Sequence, residues 1–185
     1  MSDDRLIEDP KDWSPQYCCD EAFVPASPET VFDALLDIGR WNDWWETMRF
    51  AYAGTGPMRT GDRVTFDGAV IKWTVEVVSI DRPRAIRFRY VEGALVGDTE
   101  WRVTPAPGGC RAAYIYHGVC ACEDRAASTF GRFGTELHSM VMQADALDGL
   151  ARLTTGQRLD AAWRQSVRDK VAAGRAALVL LREQA

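Results

Sequence analysis

The sequence has only two histidines among its 185 residues. It also has no apolar run of the roughly 18 residues that a membrane-crossing helix needs. No stretch concentrates positive charge: 22 Lys and Arg are spread along the chain against 27 Asp and Glu, for a net charge of −5. Nucleic acids and anionic membrane surfaces both call for a basic face, so neither is an expected partner. The opening residues, "MSDDRLIEDPKDWSPQ", have no basic start followed by an apolar stretch, so a secretory signal is not expected. Five cysteines is an odd number, and their spacing fits no small disulfide framework. Reduced thiols and a cytoplasmic location are the expectation.

Familiar catalytic patterns are missing too. There is no G-x-S-x-G, which argues against an esterase-type nucleophile. "GPMRTGDR" (56–63) starts with the glycine spacing of a phosphate loop. Asp62 and Arg63 then stand where Lys and Ser/Thr would hold phosphate and magnesium, so the stretch reads as a turn. His117 falls on the outer face of its strand, and His138 sits beside the apolar stripe of its helix. Cys120 and Cys122 share a strand face that His117 does not, and Cys18 and Cys19 point to opposite faces. No metal site and no cofactor are expected.

What the chain does have is aromatic rings. Trp41, Trp44 and Trp45 put three of the seven tryptophans within five positions. Their spacing is i, i+3 and i+4, so they share one side of a helical turn while Asn42 and Asp43 face water. Before them, residues 1–16 read as a flexible lead and 17–27 as a strand. Ser27-Pro28-Glu29 opens a helix with a capping hydroxyl, a proline at the first helical position and an acid at the positive end. Val31, Phe32, Leu35, Leu36 and Ile38 follow at helical spacing, and Gly39 reads as its end.

Six strand-like runs come next, at about 48–54, 62–68, 70–80, 85–93, 95–105 and 110–121. Turn signals such as Asp67-Gly68, Asp81-Arg82-Pro83 and Pro107-Gly108-Gly109 separate them, and the spacings suit consecutive antiparallel hairpins. Alternation sorts their side chains. Ile71, Trp73, Val75 and Val77 share a face, as do Ile86, Phe88 and Tyr90. Leu95, Gly97, Thr99, Trp101 and Val103 form a third set, and Ala112, Tyr114, Tyr116 and Gly118 a fourth. The opposite face carries Lys72, Glu76, Arg87, Arg89, Asp98, Glu100, Arg102 and Arg111. The predicted inner face is therefore rich in rings, and phenols supply most of its polar groups. Such rings can be a plain core or the lining of a ligand cavity. With no inward cation evident, tyrosines of ordinary pKa near 10 make poor bases, which favours binding over catalysis.

Residues 135–156 read as a long helix with Leu137, Val141, Ala144, Leu147 and Ala151 on one side and Gly156 as its stop. A curved antiparallel sheet with one apolar face needs cover, and this helix is the natural cover. A last segment, about 158–183, has Leu159, Trp163, Val167, Val171, Leu178 and Leu181 as an apolar stripe, with Arg158, Arg164, Arg168, Lys170, Arg175 and Arg182 mostly off it. Its stripe must pack either on the back of the long helix, where Met142, Ala146 and Leu153 would otherwise be exposed, or on the same segment of a second copy. The small residues of "VAAGRAALVLL" favour a homodimer through 157–185.

The segments "FVPASPETVFDALLDIGRWNDWW" (23–45), "VVSIDRPRAIRFRY" (77–90), "EGALVGDTEWRVTP" (92–105), "GGCRAAYIY" (109–116) and "DALDGLARL" (145–153) resemble the START-like, or SRPBCC, superfamily, especially its polyketide cyclase/dehydrase branch. The resemblance spans about 17–155. It implies an α+β helix-grip fold over 17–156, in which a curved antiparallel sheet wraps a long C-terminal helix, with 157–185 as an added helix. It also implies a cavity between sheet and helix for a small hydrophobic, aromatic or lipid-like ligand, with the tryptophan helix at an open end of the sheet. The expected lining is Trp41, Trp44, Trp45, Trp73, Phe88, Tyr90, Thr99, Trp101, Tyr114, Tyr116, Leu137, Val141 and Ala144. A polyketide cyclase/dehydrase-type enzyme without metal is one alternative, and an interaction module with a vestigial cavity is another.

Overall fold

The computed structural model describes residues 16–68, 72–93, 95–120 and 142–159, together with Gln165 and Asp169. Strand β1 (Gln16–Val24) leads into helix α1 (Pro28–Leu36). The Ser27 hydroxyl caps α1 by accepting the Thr30 N–H at 3.1 Å, as the Ser-Pro-Glu signal predicts. The helix stops earlier than expected, however. Asp37 ends it, and Ile38–Arg40, with Gly39, form a separate 3₁₀ turn. That turn feeds the four-residue helix α2 (Trp41–Trp44).

Six strands follow: β2 (Arg49–Tyr52), β3 (Arg63–Asp67), β4 (Lys72–Asp81), β5 (Ala85–Gly93), β6 (Leu95–Ala106) and β7 (Gly109–Cys120). All pairings are antiparallel, and the sheet order is β1-β7-β6-β5-β4-β3-β2. The six-strand meander is the predicted one. Its extension by β1, which pairs with β7, adds a seventh strand to one curled sheet.

The alternation read from the sequence sorts the sheet faces. Trp73, Val75, Val77, Ile86, Phe88, Tyr90, Thr99, Trp101, Val103, Tyr114 and Tyr116 are all buried on the concave side. The convex side carries cross-strand ion pairs: Arg63–Glu76, Arg87–Glu100 and Arg89–Asp98, with Glu100 also meeting Arg102. That side is not uniformly solvated. Thr74 is buried there between Thr65 and Glu92, and Ala113 and Ile115 are buried as well.

Across the concave face lies a π-helical segment, Met142–Leu147, which runs directly into helix α3 (Asp148–Thr155). Gly156 ends α3 in a left-handed conformation (φ 73°), its N–H donating to the Arg152 carbonyl, as expected for a glycine stop. Met142 and Ala146, on the back of the predicted helix, are buried at 2% and 0% exposure, and Leu153 is half-buried, so that back is covered. Leu147 and Ala151 are buried as predicted. Leu137, Val141 and the side chain of Ala144 lie outside the described residues, as do His138, the lead 1–15 and most of 160–185. Within the last of these, Gln165 and Asp169 are helical and exposed.

Candidate functional site

The concave face gathers most of the predicted ring residues. α2 delivers Trp41, Trp44 and Trp45 into it, with 0%, 1% and 2% of their surface exposed, while Asn42 and Asp43 stay outside. Trp45 is the hub. Its ring centroid lies 5.8 Å from those of Trp41 and Trp44, 6.1 Å from Trp101 and 6.2 Å from Tyr114. Phe50 and Phe66 complete its surroundings at 5.1 Å and 6.1 Å, and Trp73 stacks on Phe66 at 5.3 Å. Edge-to-face contacts dominate, the arrangement ring quadrupoles favour. One side of α2 is tied down firmly. The Trp41 indole N–H donates to the Leu35 carbonyl, and the Asn42 amide both donates to and accepts from the Phe50 backbone.

Further along the same face the phenols form a second group. Tyr90 and Tyr116 meet edge to face at 5.5 Å, and Trp101 and Tyr114 at 5.0 Å. The Tyr90 and Tyr114 hydroxyls interact with each other and with Thr99. The Thr99 hydroxyl spends its proton on the Ile115 carbonyl (2.7 Å), which leaves its lone pairs for the phenols. Burial pushes Tyr90 well above the ordinary tyrosine value and raises Tyr114 too. Both therefore stay neutral hydroxyls at any ordinary pH, able to donate a hydrogen bond but unsuited to act as bases.

The indoles add donors. Among the described residues, the buried N–H groups of Trp44, Trp45, Trp73 and Trp101 find no acceptor. A buried donor without a partner costs on the order of 1–3 kcal/mol. Four in one ring cluster is therefore a property to be explained rather than an ordinary feature of a core.

Three buried carboxylates escaped the sequence reading. Asp20 lies on the inner face of β1, in register with Tyr114. Its signal was available, because Cys18, Asp20, Ala22 and Val24 share one parity and an acid among them is out of place. Asp145 accepts the backbone N–H groups of Glu46 (2.8 Å) and Thr47 (2.5 Å). Burial outweighs those bonds and raises its carboxyl above the usual range. Asp148 accepts from Arg158 and from the Leu159 N–H. Asp148 lies four residues after Ala144 and three before Ala151, so the α-helical period already puts it on the inner stripe, whereas Asp145 falls beside that stripe.

The convex face also has a hollow of about 340 Å³, lined among others by Val78, Arg87, Arg89, Asp98, Glu100 and His117. Its arginines and acids are committed to one another across the strands, so it presents few unsatisfied groups. The concave face is the stronger candidate.

A family described as polyketide cyclase / dehydrase and lipid transport matches residues 20–156. No curated protein matches the sequence. Among solved structures, TTHA0849 from Thermus thermophilus is similar at 18% identity and a TM-score of 0.58, covering 76% of this chain and 98% of that one. A norcoclaurine synthase mutant from Thalictrum, bound to a transition-state analogue, aligns at 12% identity and a TM-score of 0.55, covering 77% and 95%. The Aha1 dimer from Colwellia psychrerythraea aligns at 11% identity and a TM-score of 0.54, covering 77% and 98%. At these identities the likeness is one of fold.

Proposed function

Because the chain belongs to the polyketide cyclase / dehydrase and lipid transport family, we propose that it binds a small hydrophobic, ring-bearing or lipid-like molecule between the concave sheet face and the helix across it. One observation carries this reading: a buried aromatic wall whose indole N–H groups and neutral tyrosine hydroxyls are donors. Apolar walls with a few placed hydrogen-bonding groups are what small-molecule sites use. Leu137, Val141 and Ala144 belong to the same proposed lining. The test is titration with Nile red, a neutral apolar dye, followed by dye emission and by loss of tryptophan emission. Saturable one-to-one binding is expected, and native mass spectrometry of the purified protein would identify a retained natural ligand. Dye emission that stays linear to the solubility limit would contradict the proposal.

A second reading, cyclase/dehydrase-type catalysis without a metal, is favoured by Asp20. A buried carboxylate opposite Tyr114 could take a proton from a substrate that the phenols hold. Turnover of a polyketone chain that is lost in Asp20→Asn, with binding retained, would establish it.

The proposal for residues 157–185 is pairing with a second copy. Leu159 packs on the domain's own core, the stripe from Trp163 onward suits a second copy, and a protein of the same fold has been solved as a dimer. Light scattering on the full chain should give twice the monomer mass, and a chain ended after residue 160, which keeps the Asp148 contacts of Arg158 and Leu159, should give one. A full-length monomer would reject pairing.

A further inference from the structure

The turn after α2, residues 45–48, carries Trp45 into the ring cluster, and residues of the π segment and α3 hold it from the helix side. Asp145 spans the gap with both carboxylate oxygens, one on the Glu46 N–H and one on the Thr47 N–H. Arg152 donates to the Asp43 carbonyl at 3.2 Å, and Arg158 lies 3.6 Å from the Glu46 carboxylate. Gly149 lets the two backbones meet, since a Cβ there would stand 2.0 Å from the Trp44 carbonyl oxygen. The other side of α2, by contrast, is fixed to α1 and β2, by Trp41 on the Leu35 carbonyl and Asn42 on the Phe50 backbone.

The second observation is where Asp145 sits. It lies in the six-residue π segment Met142–Leu147. Such wide turns are rare and are found frequently at functional sites. Asp145 is also nearly fully buried. Its desolvation outweighs its hydrogen bonds, and Glu46 adds repulsion. A buried acid on a rare turn, holding two adjacent N–H groups, is placed for position.

We propose that Asp145 is a positioning residue that hangs the Trp44–Trp45 end of the aromatic wall from the long helix, so that its release lets the 45–48 turn swing away and opens the concave face to ligand. The inference rests on the ligand-binding reading above. It makes α2 a hinged flap: pinned to α1 and β2 at Trp41 and Asn42, latched to the helix at Glu46 and Thr47. The charged groups around the latch are Glu46 on the turn, Asp148 on the next turn of the helix, and Arg152 and Arg158, which bridge the same two elements. The two arginines hold the flap's outer rim, so the latch is weakened rather than abolished when Asp145 alone is changed.

The test uses the full chain, with Asp145→Asn and Asp145→Ala beside it. Amide hydrogen exchange should show protection at Glu46 and Thr47 falling about tenfold or more in both variants, the effect of losing a hydrogen bond to a charged acceptor. Amides of β6 and β7 should be unchanged. Stopped-flow mixing with Nile red should show a several-fold faster on-rate, a kinetic change that a general loss of stability does not produce. Wild-type protein alone provides a further reading: Glu46 and Thr47 should exchange through a local opening, with little dependence on added urea. Exchange of these two amides only through global unfolding would overturn the proposal. So would variants that bind Nile red at the wild-type rate, which would leave the ligand reading intact. If Nile red binds none of the proteins, the ligand reading fails, and the exchange data still decide whether Asp145 holds the turn.

Discussion

Gly149→Ala is the substitution whose cost follows most directly from geometry. A methyl at Gly149 would lie 2.0 Å from the Trp44 carbonyl oxygen and 2.8 Å from its carbon. Ordinary contact starts near 3.4 Å, so α3 and α2 would have to part by about 1.4 Å. Both atoms belong to the backbone, so no rotamer can yield. A separation of that size also stretches the Glu46 and Thr47 bonds to Asp145 beyond useful length. Overpacking costs about 1–3 kcal/mol, and loss of a hydrogen bond to a charged group about 1.5–3 kcal/mol. Alanine returns about 1 kcal/mol through helix propensity. The net destabilisation should be about 2–4 kcal/mol, or a melting temperature lower by about 5–15 °C for a domain of this size. Gly156→Ala is the control. Its φ of 73° is unfavourable for alanine but nothing lies within 4 Å, so it should cost only about 1–2 kcal/mol. Paired thermal and urea melts decide the point. A Gly149→Ala protein as stable as wild type, or harmed less than Gly156→Ala, would refute the close packing of α3 on α2.

Trp101→Ala removes a fully buried ring that touches Trp45 and Tyr114, and urea unfolding should show a loss of about 3–5 kcal/mol. Tyr90 and Tyr114 have folded values raised above the ordinary tyrosine value, so the stability they contribute is complete below pH 10 and lost as pH rises through the raised values. Their phenolate absorbance should therefore appear only together with alkaline unfolding, and a smooth titration near pH 10 in folded protein would contradict their burial. Asp145 is also raised, so its contribution is complete below the ordinary carboxylate range and fades as pH rises through its folded value. Urea midpoints should show Asp145→Asn costing more at pH 4 than at pH 7, whereas an equal cost at both would mean that Asp145 has an ordinary carboxylate value.

Much of the fold can be read in the sequence because strand parity is a strict period of two. Once Trp73, Phe88, Trp101 and Tyr114 are set on one face, the meander and its charged reverse follow, and the structure shows both. The Trp41, Trp44 and Trp45 spacing likewise predicts a shared face, and all three are buried. Helical parity is less forgiving. Met142–Leu147 forms a π turn where the sequence predicts an α-helix, and both sides of the segment are buried, so the amphipathic period does not show that Met142, Asp145 and Ala146 lie inside. No residue type announces a π turn, so this information lies in tertiary packing. Asp20 is different: strand alternation places it inside, and reading β1 with the care given to β5 or β7 finds it. Ile115 and Thr74 are the reverse case, outward by parity yet buried by neighbours on adjacent strands that a single strand's pattern does not reveal.

The claim that the concave face takes an apolar ligand is tested most directly by two-dimensional ¹H–¹⁵N spectra of the full chain titrated with Nile red. The indole N–H resonances of Trp44, Trp45, Trp73 and Trp101 report from inside the wall, and the backbone amides of Arg87, Arg89 and His117 report from the convex hollow. Saturable shifts of the Trp45 and Trp101 indoles, with the convex amides still, are the predicted result. Shifts confined to Arg87, Arg89 and His117, or none that saturate, would contradict it.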